Sequence, residues 1–193
     1  MPLSPAHRLE LLALARQSID RALATGALAG CPHSIPSTEL SLRRASFVTL
    51  HIREELRGCC GSISAAHPLR EDVWRNAYAS AFTDPRFAPL TRDEWPQVSI
   101  HVSVLSELQP LHVVDEAGLL RSLQPHVDGL LLELKGNRAT FLPEVWEHLA
   151  DPERFLRHLK LKGGWAADFW SSDMRVWRYT TESFGENEEA ESE

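Results

Sequence analysis

Phe47-Val48-Thr49-Leu50-His51-Ile52, the break Arg53-Glu54-Glu55, and the run from Leu56 to Ile63 decide the fold. Two runs rich in β-branched and aromatic residues, joined by a short polar break, predict a β-hairpin. Farther along, Val98-Ser99-Ile100-His101-Val102-Ser103-Val104 alternates strictly. That pattern predicts a strand with the valines and isoleucine inward and Ser99, His101 and Ser103 on the other face. Asp128 to Leu134 and Arg138 to Leu142 predict a second hairpin around Lys135-Gly136-Asn137, and Met174 to Thr181 a last strand. Helices lie between. Ser4-Pro5 is an N-cap and first-turn pair for a helix to Ala24, with Leu9, Leu12, Ile19 and Leu23 on its apolar face and Gly26 closing it. Residues 26–45 read as loop. Pro68 opens a helix in which Leu69, Val73, Ala77 and Ala81 recur at helical spacing, and Asp84-Pro85 ends it. Short helices are predicted over Asp115–Leu123 and from Asp151-Pro152 to Gly163-Gly164, with a helical turn at Pro143. Because the strands come as hairpins, the expected class is α+β, a largely antiparallel sheet with flanking helices.

The 193 residues (21.7 kDa) are 43% hydrophobic and 24% charged, enough for one full-sized domain or two small lobes. Low-complexity disorder and collagen-like repeats are excluded. Apolar runs such as Gly129–Leu132 are too short to span a bilayer. Arg8, Glu10, Arg16 and Asp20 interrupt every apolar run near the start, so no secretory signal is expected. Three cysteines fit a reducing cytoplasm better than a disulfide framework. The net charge of −7 is concentrated: residues 185–193 hold five glutamates and no lysine or arginine. The body, residues 1–184, then carries 22 acidic against 20 basic residues. Residues 185–193 read as an acidic disordered tail, and the balanced body argues against bulk nucleic-acid binding.

Chemistry concentrates in Leu56-Arg57-Gly58-Cys59-Cys60-Gly61. Glycine in a strand marks a bulge or a close approach by ligand or backbone, which makes Gly58 and Gly61 ligand-binding candidates. Alternation sends Cys59 and Cys60 to opposite faces and puts Arg57 beside Cys59, where a guanidinium would favour the reactive thiolate. The competing reading makes both cysteines small buried apolar residues. In Asp84-Pro85-Arg86-Phe87 the aspartate suits a local backbone turn, and Arg86 suits either an internal salt bridge or a carboxylate or phosphate clamp. Phe141 and Trp146 read as core. Cys31-Pro32-His33 has no second Cys/His pair at zinc spacing, and Cys59-Cys60 is not a Cys-x-x-Cys motif, so no metal is assigned. A metal held by Cys59 with His51 or His101 is the one geometry left open. The chain lacks a dinucleotide fingerprint, a phosphate-binding loop and a nucleophile elbow, and the residues name no cofactor.

Phe47-Val48-Thr49-Leu50, Leu56-Arg57-Gly58-Cys59, Asp84-Pro85-Arg86-Phe87 and Leu142-Pro143-Glu144-Val145-Trp146 together resemble the AMMECR domain family, whose bacterial and archaeal members are called AmmeMemoRadiSam system protein A. The resemblance runs from about residue 7 to residue 183. The family hallmark reads Leu-Arg-Gly-Cys-Ile-Gly, so Cys59 takes its cysteine position and Cys60 replaces the isoleucine; Glu144 stands where glutamine is usual. The resemblance implies a two-lobed single α+β domain with the Arg-Gly-Cys segment near a groove. It also implies association with a radical S-adenosylmethionine protein and a Memo-like protein. Two functions follow. One is an accessory or binding component with its ligand surface around Arg57, Gly58, Gly61, Arg86 and Glu144. The other is an enzyme with Cys59 as an activated thiol, Arg57 as the catalytic residue that lowers its pKa and Arg86 or Glu144 orienting substrate, in nucleotide or RNA-related modification.

Overall fold

Along the chain the elements are α1 (Pro5–Thr25), β1 (Ser46–Ile52), β2 (Glu55–Gly61), α2 (Leu69–Phe82), β3 (Val98–Leu105), β4 (Gln109–Pro110), α3 (Glu116–Ser122), β5 (Gly129–Leu134), β6 (Asn137–Phe141), α4 (Pro152–Lys162), β7 (Arg175–Tyr179) and β8 (Thr181–Gly185). The computed structural model describes residues 2–32 and 37–186. The fold is α+β, but its strands form two four-stranded antiparallel sheets rather than one, in the orders β2-β1-β3-β8 and β4-β7-β5-β6. Two compact units result: one made by the chain up to Leu105 and its return from Glu182, the other by Ser106–Thr181.

In the first unit, Ser4 caps α1 by accepting the His7 amide, and Gly26 closes it at φ 77°. The buried stripe runs through Leu11, Leu12, Ala15, Ile19 and Ala22 at three- and four-residue steps, which leaves Leu9 off the core and 47% exposed, against expectation. Leu69, Val73, Trp74, Ala77 and Ala81 of α2 are buried with it, against Val48 and Leu50 of β1 and Val98, Ile100, Val102 and Val104 of β3. Thr49, His51, Ser99 and His101 are half-buried on the opposite face of the sheet, as alternation requires.

The second unit has its own core, in which Leu130, Leu132 and Val176 meet Trp146, Phe155, Leu156 and Leu159. Trp146 stacks on Phe155 with ring centroids 3.8 Å apart and donates its indole N–H to the Asp128 carbonyl at 2.7 Å. Gly163 must be small because a Cβ there would lie 2.1 Å from the Trp165 ring. The final strand expected over Met174–Thr181 is two strands, β7 in the second sheet and β8 in the first. The short β4, pairing only Gln109 and Pro110 with β7, has no sequence signal of its own.

Gly185 and Glu186, assigned by composition to the tail, belong to the fold. Gly185 ends β8, and the Glu186 carboxylate accepts Arg16 Nε and Nη2, both at 2.6 Å, and the Ile100 amide at 2.9 Å. The rest of that segment lies outside the described residues. Among the described residues no helix is long and apolar enough to cross a membrane.

The β1–β2 hairpin turns on two residues, not three, since Ile52 pairs with Glu55. Arg53 and Glu54 both sit at positive φ, 52° and 69°, the geometry that the tight hairpin favours and side chains resist. The β5–β6 turn solves the same problem with Lys135 and Gly136 at φ 50° and 88°. Replacing Arg53-Glu54 with Asn-Gly is expected to stabilise the protein by about 1 kcal/mol, measured as a higher urea midpoint at unchanged m-value.

Candidate functional site

The Arg-Gly-Cys segment lies on β2, at the edge of its sheet. Its register against β1 runs Val48↔Cys60, Thr49↔Cys59, Leu50↔Gly58, then His51↔Leu56, which leaves Arg57 as the extra residue of a β-bulge. The bulge re-aims the Arg57 side chain. Its Nε and Nη2 reach the Glu94 carboxylate at 2.8 and 3.1 Å, and Nη2 also donates to the Ala88 carbonyl at 2.9 Å. Nη1 is buried without a partner. Every hydrogen bond of the guanidinium is therefore spent on Glu94 and Ala88, none on the cysteine.

Gly58 is buried because α2 comes close: a Cβ there would lie 2.1 Å from the Ser80 carbonyl oxygen. That approach inserts the Ser80 hydroxyl into the strand ladder. Its oxygen accepts the Cys60 amide at 2.8 Å and lies 2.7 Å from the Val48 carbonyl. The expected role of Gly58 as a close-approach residue holds, and the element that approaches is helix backbone. At Gly61 a Cβ would meet the Phe47 ring at 2.2 Å, again a contact within the sheet.

The outer edge of β2 is capped by the Asp84-Pro85-Arg86-Phe87 turn. Asp84 Oδ2 accepts the Cys59 amide at 2.9 Å, while Arg86 Nη2 donates to the Cys59 carbonyl at 3.2 Å. The two side chains also pair with each other, Nη2 to Oδ2 at 2.7 Å and Nε to Oδ1 at 3.0 Å. A carboxylate and a guanidinium thus do what a neighbouring strand would do, satisfying both backbone groups of one edge residue. Arg86 bonding holds the Asp84 carboxyl well below the usual carboxylate range. Phe87 sits under both arginines, with Arg57 Cζ 5.9 Å and Arg86 Cζ 5.5 Å from its ring centroid.

Cys59 and Cys60 are both half-buried. The Thr49 hydroxyl donates to Cys59 Sγ at 3.3 Å, a bond that favours a charged sulfur. At Cys60, burial pushes the thiol up, and the Asp84 carboxylate adds to it. Across the sheet Thr49 pairs with Cys59 on one side and His101 on the other, so sulfur and imidazole stand two strands apart. His101 instead meets His51 edge-to-face at 5.3 Å, and burial, then this neighbour, lowers the His51 pKa. Among the described residues no group of three or more metal-ligating side chains converges. His33, two residues after Cys31, lies outside the described residues.

Glu144 is an exposed member of the Pro143–Glu147 turn in the second unit, whereas Arg57, Gly58, Cys59, Gly61 and Arg86 are in the first. Three contributors escaped the sequence reading: Thr49, Ser80 and Glu94. Glu94 had a local signal, since Thr91-x-x-Glu94 is a capping box whose carboxylate accepts the Thr91 amide at 2.9 Å.

The Arg57 bond pulls the Glu94 pKa down to about 2. A carboxylate with a depressed folded-state pKa gives stability that is complete above its unfolded value of about 4.3 and is lost as pH falls toward 2; Asp84 acts in the same direction. The urea midpoint is expected to drop between about pH 5 and pH 3, and less steeply in Glu94→Gln. An identical pH profile in the variant would refute this.

The chain is similar to several known proteins. A protein of Methanothermobacter thermautotrophicus is 32% identical over 188 residues, covering 96% of this chain and 97% of that protein. One from Thermotoga maritima is 33% identical over 153 residues, 78% of this chain and 83% of that one. The crystal structure of an uncharacterized protein from Pyrococcus horikoshii superposes with a TM-score of 0.85 at 32% identity, covering 93% of this chain and 91% of that one. The AMMECR1 family pattern matches residues 12–184, a span that takes in both sheets and the capped Arg-Gly-Cys edge, and the chain belongs to the AMMECR1 family.

Proposed function

We propose that this protein is an accessory, ligand- or partner-binding component that acts with a radical S-adenosylmethionine enzyme and a Memo-like protein, and that the surface around Arg57, Gly58, Cys59, Gly61 and Arg86 is its contact site. The observation that carries this reading is the commitment of both arginines. Arg57 is bonded to Glu94 and Arg86 to Asp84 and the Cys59 carbonyl, so the charges serve to fix a backbone edge in one shape. A rigid, pre-formed edge is what recognition needs. The test is a binding titration between this chain and the two partner proteins from the same source, with Arg86→Ala alongside. Binding that weakens in the variant while its melting temperature holds supports the reading. No binding of either partner to the parent chain refutes it.

A second reading rests on the Thr49 hydroxyl at 3.3 Å from Cys59 Sγ. It makes Cys59 an activated nucleophile in an enzyme of nucleotide or RNA-related modification. Its expected sign is alkylation of Cys59 by iodoacetamide well below pH 8.5, the usual thiol value of about 8.5, with slowing in Thr49→Val. A Cys59 that reacts only after unfolding, or a Cys59→Ser protein that functions normally in cells, removes this reading.

A further inference from the structure

We propose that the second unit carries a pocket for a small zwitterion of the amino-acid class, with Arg178 receiving its carboxylate and Asp128 its ammonium group. The pocket, of about 220 Å³, lies where β7 ends beside β4 and the turn that follows α3. Register places its walls. Arg178 pairs with Gln109 of β4 on one side and Leu130 of β5 on the other. Thr180 and Asp128 lie two residues along the chain from Arg178 and from its partner Leu130, and both line the pocket with Arg178.

Each wall has unspent bonding capacity. Among the described residues the Arg178 guanidinium makes one hydrogen bond, Nε to Gln109 Oε1 at a long 3.4 Å, and pairs with no carboxylate. Both of its terminal nitrogens remain available. Asp128 is only 3% exposed, and its Oδ2 accepts the Gln124 amide at 2.8 Å. Oδ1 has no protein partner among the described residues and is not sealed off, and Asp128 is one of the residues that line the pocket. A carboxylate this buried with an unused oxygen calls for a donor. Gln124 and Thr180 line the same space, and among the described residues the Gln124 side-chain amide and the Thr180 hydroxyl make no hydrogen bond.

The charges select the ligand. A simple anion would be drawn to Arg178 but repelled by Asp128, and a simple cation would meet the reverse. A molecule carrying both charges satisfies both walls. Pockets for drug-sized ligands start near about 300 Å³, and this one corresponds to roughly seven water volumes at about 30 Å³ each. That is room for a polar amino acid and little more.

The experiment is a titration of the nitrogen-15-labelled full chain with L-serine, L-asparagine and L-glutamine, followed by amide chemical shifts. Shifts centred on residues 106–109, 124–128 and 178–180 are expected. N-acetyl-L-glutamine, which lacks the ammonium, and L-glutamine α-amide, which lacks the carboxylate, should each bind about tenfold or more weakly. Arg178→Met and Asp128→Asn should weaken L-glutamine by a similar factor; the asparagine keeps an acceptor for the Gln124 amide. If Arg178→Met does not fold, Gln109→Ala, at an exposed position, tests the same wall through loss of the arginine's support. The proposal is overturned if none of the three amino acids shifts these amides at millimolar concentration. It is also overturned if the blocked probes bind as tightly as the zwitterions, or if the folded variants bind as the parent does.

Discussion

Gly58→Ala is expected to destabilise the protein by at least about 3 kcal/mol, the upper range for overpacking a close contact, and to do so without touching any charged group. A Cβ at this position would stand 2.1 Å from the Ser80 carbonyl oxygen and 3.1 Å from the carbonyl carbon. Both are helix backbone and cannot swing aside as a side chain would. Relief requires α2 to move away from β2, and that movement withdraws the Ser80 hydroxyl from Cys60 and Val48. The usual gain from Gly→Ala, about 0.5–1 kcal/mol through the unfolded chain, is too small to offset this. Gly30→Ala is the control: nothing lies within 4 Å of the added carbon, so its urea midpoint should be unchanged or slightly higher. A Gly58→Ala protein as stable as the parent would show that α2 does not fix the glycine.

Asp72→Ala is the second large effect, expected to cost about 3 kcal/mol or more. Asp72 is 2% exposed on α2. Its Oδ2 accepts the Ser46 amide at 2.8 Å, the Ser46 hydroxyl at 2.7 Å and the Asn76 amide at 2.9 Å, and its Oδ1 accepts the Ser62 hydroxyl at 2.7 Å. One carboxylate thus ties the start of β1 and the exit of β2 to the helix. Burial raises its pKa above the ordinary aspartate value, so the ion itself is held at a cost. Removing it relieves that cost but takes the acceptor from the Ser46 amide and the Ser46 and Ser62 hydroxyls, while the Asn76 amide keeps the Ser46 carbonyl at 3.0 Å. The donors decide the sign, because each buried unmet donor costs about 1–3 kcal/mol. Asp72→Asn should be milder than Asp72→Ala, since its remaining oxygen can keep part of the set. Equal midpoints for Asp72→Ala and the parent would refute the account. As pH rises through the raised folded-state pKa, Asp72 lowers stability, the opposite of Glu94 and Asp84. Above its folded-state pKa each of the three is ionised and contributes no further slope.

The hairpin at residues 47–63, the strand at 98–104, the caps at Ser4 and Asp151, and the close approach at Gly58 were legible in the chain because each rests on local rules. Periodicity, turn chemistry and capping act over a few residues, and the sequence carries them intact. The opposed faces of Cys59 and Cys60 were legible for the same reason. So was Trp146 as core.

Other features were decided only when distant segments met. The division of the strands into two sheets depends on β8 leaving β7 after a single residue, Thr180, and no local pattern marks that change of partner. Arg57 was expected to serve the cysteine from the same face. The bulge between the Leu50 and His51 pairings redirects it to Glu94, 37 residues away, and a bulge is a property of two strands in register, not of one. Arg86 had two readings in the sequence, and its pairing with Asp84 and the Cys59 carbonyl settled where its bonds go. Leu9 fell off the core because the buried stripe of a helix is fixed by what packs against it. Sequence alone determined the main helices and hairpins, their order and the family pattern; tertiary structure decided β4, the split of the last strand, pairing, register and which charges are spent, because those depend on long-range contacts whose free energy no short window of residues contains.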